Sequence, residues 1–391
     1  MSVTTTHADE QAMPRAADSS PWLFSPAIDL LSFGGSAAIS LLLLGIGYAS
    51  GLLEEETPDW TWITAVLLVD VAHVYATAFR VYFVPEELRR RPWLYLLTPV
   101  LGWLLGVAIY SESESLFWRL LAYLAVFHFV RQQYGWVALY RARAGEQDGK
   151  WLDAAAIYAA TLWPLLWWHG HLPRAFWWFR EFDFAVESSR WASWTEPLYW
   201  CILAGYFARS LYRGMRSRRW SPGKDLVVAT TALCWYVGIV ALNSDYAFTV
   251  TNVFIHGIPY IVLVHWYQDR TRFSREADDR TEPPPALQPG ARIASWSKYL
   301  ATLWVLAYLE EFFWHRGVWH ERLWLFGAAW PWGNAQVWLV PLLAVPQLTH
   351  YVLDGFLWKR RSNPRFASWA LRFSCRPRDA NGRRAGRADA L

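Results

Sequence analysis

Four histidines lie inside long apolar stretches: His73 in LLVDVAHVYATAFR, His128 in LAVFHFVRQQYGW, His256 in TNVFIHGIPYIVLVHWYQ and His350 in PQLTHYVLDGFLW. Ionisable groups are costly inside lipid, so each is a functional candidate by default. Each also has polar neighbours at a spacing that puts two side chains on one helix face. Asp70 precedes His73 by three and Asn252 precedes His256 by four; Arg131 and Gln132 follow His128, while Gln347 and Asp354 flank His350. A metal-bound imidazole normally donates its second N–H to a carboxylate, amide or carbonyl, and the neighbours supply such groups. The pattern predicts a metal centre with His73, His128, His256 and His350 as ligands, and with Asn252, Gln132 and Arg131 around the bound group. Imidazole suits iron, copper or zinc, and a neutral four-imidazole set with open positions suits Fe2+ that takes O2 as co-substrate. A zinc hydrolase would need a positioned water and a base, a role for Asp70 or Asp354, the two candidate catalytic carboxylates. His265 lies nine residues after His256, about half a turn out of phase, and is secondary.

The elements that position these residues are membrane spans. A bilayer crossing takes roughly 20 apolar residues, and spans are expected at 28–53, 60–84, 93–110, 116–140, 151–169, 197–212, 225–243, 246–268, 295–314 and 335–358. The fold class is therefore all-α, a polytopic integral-membrane helical bundle of about ten transmembrane helices. Loop charge sets the orientation, because short Lys/Arg-rich loops stay cytoplasmic. EEETPD, SESES and NSD are acidic or neutral and alternate with PEELRRRP, RARAGEQDGK, RGMRSRRWSPGK, DRTRFSR and KRRSNPR. The alternation puts both termini in the cytoplasm. Residues 1–27 form a polar leader expected to be disordered, and 359–391 a basic cytoplasmic tail. Given this topology, His73, His128, His256 and His350 fall about 8 to 12 residues above the cytoplasmic helix ends. At ~1.5 Å per residue, that is one shared level ~12–18 Å deep.

Composition agrees. With 54% hydrophobic residues, 29 Trp and 18% charged residues, the 391-residue chain carries too much apolar surface for an ordinary soluble fold. Trp and Tyr favour membrane interfaces. The net charge of +4 resides largely in short loops and the tail, so it speaks to orientation and not to nucleic acid, for which no motif is present. Cys201, Cys234 and Cys375 show no metal or disulfide spacing. Two outer loops, 170–196 and 315–334, are rich in aromatic residues and hold His171, His315 and His320, with His169 at the edge of the first; Glu310 and Glu311 are expected at the outer interface.

Four histidines dispersed over separate membrane helices, one of them in the His128-Phe129 pair, resemble the Brp/Blh-type membrane carotene dioxygenases. The resemblance covers the constellation and not the length of the chain: the Pro-His-Gly start is absent, and HFVRQQYG stands where a His-Phe-Gly pattern belongs. It implies a four-histidine iron centre. The HxxxH and HxxHH boxes of membrane fatty-acyl desaturases and hydroxylases do not occur.

The leading expectation is thus a multi-pass protein of the cytoplasmic (inner) membrane, an iron-dependent oxidoreductase (oxygenase, hydroxylase or desaturase) acting on an apolar lipid, polyene or terpenoid. Its partners would be membrane lipids, that apolar small molecule and an electron-donor protein. The alternatives are a haem-bearing electron carrier, which also needs four axial histidines, and a transporter or proton relay lined by His and Asp. A glycosyl transferase using Glu54, Glu55, Glu56 and Asp59 has only that acidic run behind it, and a scaffold with packing histidines requires no chemistry.

Overall fold

The computed structural model describes residues 20–176, 183–278, 289–359, 363 and 366. It is all-helical, with no strand among the described residues. Most of the expected leader and tail lies outside the described residues, as does part of the 269–294 linker.

Thirteen helices are used here. They are α1 Pro26–Ala49, α2 Asp59–Arg80, α3 Pro85–Arg90, α4 Pro92–Glu112, α5 Glu114–Ala144, α6 Lys150–His169 and α7 Ser189–Ser217. They continue with α8 Pro222–Ala241, α9 Asp245–Asp278, α10 Pro289–Trp314, α11 Leu323–Phe326, α12 Gln336–Leu343 and α13 Val345–Leu357. Local chemistry sets their ends. Proline opens α1, α3, α4 and α8, where its missing N–H would be unbonded anyway. The Ser113 hydroxyl accepts from Leu116 N (3.2 Å) and caps α5. Gly145, in the left-handed region (φ 64°), closes the same helix with bonds from Gly145 N to Ala142 O and from Glu146 N to Arg141 O. The expected last span, 335–358, is divided at Ala344 into α12 and α13, two residues before Pro346, which has no N–H to give.

Among the described residues five helices, α1, α2, α4, α8 and the Asp245–Arg272 part of α9, are long and apolar enough to cross a membrane. Their environments differ. The apolar window of α9 is 89% buried and that of α4 only 17%, so α9 is the central post and α4 lies at the periphery. Leu101 and Leu105 of α4 and Leu42 of α1 are more than half exposed, an apolar surface that suits lipid better than water. Around α9 the packing is close: a Cβ on Gly47 would lie 2.2 Å from the Tyr246 ring, and one on Gly257 2.6 Å from Val69 Cγ1. Small residues let membrane helices approach in this way.

At one end of the bundle the charged loops interlock. Glu146 accepts from Lys224 (2.5 Å), Arg213 (3.1 Å) and Ser221, while Asp153 pairs with Lys224 (2.9 Å), Arg209 (3.2 Å) and Arg141. Arg80 pairs with Glu87 (3.2 Å) and stacks on Tyr267.

A candidate metal centre of four buried histidines

His73 on α2, His128 on α5, His256 on α9 and His350 on α13 are each at most 3% exposed, and their rings meet. His256 Nε2 lies 3.1 Å from His73 Nε2, and His350 Nε2 lies 3.1 Å from His128 Nε2. Ring centroids are 4.6 Å apart for His73 and His256, 4.6 Å for His128 and His350, 4.9 Å for His73 and His350, and 5.2 Å for His128 and His256. Nitrogens bound to one ion at ~2.0–2.2 Å sit about 2.9–3.5 Å apart, depending on geometry, and the 3.1 Å pairs fall within that range. The donor set, four imidazole nitrogens in an apolar bundle, therefore fits a transition metal. His73, His128 and His256 together, and His128, His350 and Asp354 together, place donor atoms within 4.8 Å of one another.

In His73 and His350 a bond made at Nδ1 points Nε2 inward. Nδ1 of His73 donates to the Asp70 backbone carbonyl, with the Asp70 carboxylate 3.7 Å away. His350 Nδ1 donates to Thr77 Oγ1 (2.7 Å). His128 Nδ1 faces Asp354 Oδ2 at 4.0 Å. Asp354 Oδ1 in turn accepts from Tyr260 O–H and Trp358 Nε1–H, both at 2.7 Å. Because Tyr260 gives its proton to Asp354, the Thr77 hydroxyl donates to the Tyr260 oxygen across 3.3 Å. The chain runs His350, Thr77, Tyr260, Asp354, with His128 beyond. His256 is different: its Nδ1 is buried without a hydrogen-bond partner, and Phe129 stacks on the ring at 3.7 Å. Tyr351 stacks on His128 at 4.8 Å.

The arrangement is two layers one helical turn apart. Thr77, Tyr260, Asp354 and Gln132 each follow a histidine by four residues. This i, i+4 register was visible in the sequence and identifies Thr77 and Tyr260, which polarity alone had passed over. The local backbone has its own signature: residues 62–71 of α2 are π-helical and end two residues before His73. Such widened turns recur at functional sites.

Of the other residues expected here, Asp354 lies behind His128 and bonds Tyr260 and Trp358. It orients, and does not line the adjoining cavity. Asp70 does line it, and its Oδ1 is buried without a hydrogen-bond partner. Asn252 does not reach His256: its amide nitrogen donates to Phe248 O (3.1 Å) and Thr251 Oγ1 (3.0 Å). Gln132 is buried with both amide atoms unpartnered. Arg131 is exposed, bonds Tyr158 and stacks over Tyr134, turned away from the centre by its position on α5. Glu310 and Glu311, expected at the interface, are instead buried at 4% and 8% exposure. Glu310 accepts from Trp314 Nε1 (3.2 Å) and Gln347 Nε2, and Glu311 lies 3.4 Å from His315 Nε2. Residues 315–319 continue α10 as a π-helical turn, and Phe326 stacks on His315, the residue that faces Glu311. His265 is stacked on Trp296 and bonded to Ser295 (3.2 Å), outside the cluster.

Beside the histidines lies a cavity of about 430 Å³, bordered by Asp70, Phe129, Gln347 and Tyr351 at the metal-centre end and by Trp319 and Glu321 at the other. It shares Trp62, Val66 and Glu321 with a polar vestibule of about 660 Å³ that also includes Glu54, Glu55 and Glu56. No protein-family model, curated protein or solved structure matches this chain.

Proposed function

We propose that the protein is a metal-dependent oxidoreductase of the cytoplasmic membrane, with iron held by His73, His128, His256 and His350 and an apolar lipid, polyene or terpenoid as substrate. The observation that carries this reading is the meeting of four buried imidazoles, as two Nε2–Nε2 pairs at 3.1 Å, beside a largely apolar cavity. In this reading ten spans cross the bilayer, both termini are cytoplasmic, and the basic loops mark the inner face. Bound iron would supply O2 activation, the chemistry that side chains alone lack.

The chain's own residues do the rest. Thr77 and the Asp70 carbonyl hold two imidazoles in the tautomer that leaves Nε2 free to ligate, and the Asp354 carboxylate faces His128 Nδ1 at 4.0 Å and favours the same tautomer there. Phe129 and Tyr351, stacked on His256 and His128, form the boundary between centre and cavity and exclude water there. Asp70 Oδ1 accepts a hydrogen bond from whatever occupies the cavity. A reaction that consumes more electrons than the substrate supplies draws them from a donor protein. The similarity to the Brp/Blh-type dioxygenases belongs to this reading and rests on the same four residues.

The 3.1 Å contacts favour one ion over haem, because a porphyrin plane between two axial nitrogens needs about 4 Å. A proton relay has one observation in its favour, the carboxyls Asp70 and Glu311 on the wall of the cavity that adjoins the vestibule, with buried Glu310 next to Glu311 in sequence. Metal analysis with an optical spectrum on detergent-purified protein separates the three. Near-stoichiometric iron, absent from His128→Ala and His256→Ala and without a Soret band, is the expected result. A Soret band would move the reading to an electron carrier, and metal-free, well-folded wild type would move it to the relay.

A further inference from the structure

The cavity beside the histidines is amphipathic. Its lining includes the polar side chains Asp70, Glu311 and Gln347 and, from α5 and α9, the apolar Leu121, Ala125 and Val253. Two acceptors of this lining are buried without a hydrogen-bond partner, Asp70 Oδ1 and Gln347 Oε1. Gln347 Nε2 is already committed to Glu310, which fixes the amide so that its oxygen is the end left over. Buried acceptors left unpaired are costly and call for a donor.

Charge adds a second constraint. Among the described residues lining the cavity there is no Lys or Arg, while Asp70, Asp183, Glu311 and Glu321 all border it. Of the two guanidinium groups at the neighbouring vestibule, Arg322 already pairs with Asp59 (3.2 Å) and Glu321 (2.9 Å), and Arg174 is bonded to the carbonyls of Ile239 (3.0 Å) and Leu242 (2.6 Å). Against the two positive charges of the proposed Fe2+ stand the four carboxyl groups that border the cavity, so a ligand anion would meet no net positive charge among the described lining residues and the ion together, and such burial is unfavourable. Size is the third constraint. At ~30 Å³ per heavy atom, about that of a water, 430 Å³ holds about fourteen such atoms.

We infer that the cavity binds a single-chain amphiphile of about fourteen carbons whose end group donates hydrogen bonds and carries no negative charge, an alcohol or an amine, with that group held at Asp70 and Gln347. This names the substrate class of the proposed oxidoreductase and rests on that reading. Anionic lipids, including free fatty acids and phosphorylated chains, are disfavoured, and a forty-carbon polyene would extend beyond this cavity.

The test is saturable binding of tritiated 1-tetradecanol to the full chain in nanodiscs, by scintillation proximity, with unlabelled tetradecanol, tetradecylamine and tetradecanoate as competitors. Metal content is measured on the same preparations. The expected result is displacement by the alcohol or amine at concentrations at least about tenfold below those needed for the acid. Gln347→Leu should shrink that ratio to about threefold or less, and Ala125→Trp, which fills the cavity from an apolar lining position and leaves the polar groups in place, should abolish saturable binding. Equal competition by the acid, an unchanged ratio in Gln347→Leu, or no saturable binding to wild type would overturn the inference. Metal loss with selective binding intact would sink the iron reading alone; metal-replete protein that does not discriminate would sink the substrate class alone.

Discussion

Replacing Thr77 by valine removes one hydroxyl from the centre while nearly preserving shape. Thr77 is 3% exposed, and its Oγ1 is 2.7 Å from His350 Nδ1 and 3.3 Å from the Tyr260 oxygen. In Thr77→Val the His350 Nδ1–H loses its acceptor, a buried polar group left unpaired at about 1–3 kcal/mol. The ring can then turn or change tautomer, and Nε2 is no longer held toward the other three. Loss of such an outer partner typically lowers metal affinity about 10- to 100-fold, equivalent to about 1.4–2.7 kcal/mol. Thr77→Ser keeps the oxygen and should stay close to wild type. The assay is iron affinity by competition with a chromogenic chelator on detergent-purified wild type, Thr77→Val and Thr77→Ser, with thermal unfolding of each as a control for folding. An affinity for Thr77→Val within about twofold of wild type, or a serine variant as weak as the valine one, would refute the argument that Nδ1 bonding orients the ligands.

Two other outcomes test the scaffold. In Gly257→Ala the new Cβ would lie 2.6 Å from Val69 Cγ1 and 3.2 Å from the Val69 carbonyl oxygen, pushing apart the helices that carry His73 and His256. Thermal unfolding should show a loss of about 1–3 kcal/mol together with weaker iron retention, and an unchanged midpoint would contradict it. In the charged loops, burial raises the Glu146 pKa, but hydrogen bonds from Lys224 and Ser221, the Lys224 charge and the bond from Arg213 outweigh it and hold the carboxyl at about 2, against 4.5 in a model compound. With the folded value depressed, the stabilisation is present above pH ~4.5 and is lost as pH falls toward ~2; its full size is on the order of 3 kcal/mol. Unfolding of wild type and Glu146→Gln followed between pH 6 and 3 should show a wild-type advantage that narrows through the acid range, and parallel curves would count against it.

The bundle and its centre were legible to different depths. Long apolar runs separated by alternating charged loops foretell membrane helices, because spanning length and loop charge are local properties. The common depth of His73, His128, His256 and His350 was equally readable, since depth needs only a count along each helix. Which side chain completes each imidazole was not. His350 finds Thr77 on α2, and the carboxylate facing His128 comes from α13, partners fixed by how the helices are rotated against one another. Proximity in sequence misled at Arg131, which points outward, and at Asn252, whose amide bonds its own helix. Glu310 and Glu311 were misplaced because a position near a helix end says nothing about which side chains close on it, here Gln347 on Glu310 and His315 beside Glu311.

The chain of bonds from His350 through Thr77, Tyr260 and Asp354 toward His128 also bears on how helices find their azimuth in lipid. Apolar ridges sliding in an apolar solvent have little hydrophobic reason to prefer one rotation over another. A directional link among α2, α9 and α13, facing α5, does, since a slip of one residue swings a side chain by about 100° and breaks every bond in the series. The polar layer under the histidines thus serves as a rotational key, selecting the one mutual setting of four helices in which the imidazoles meet.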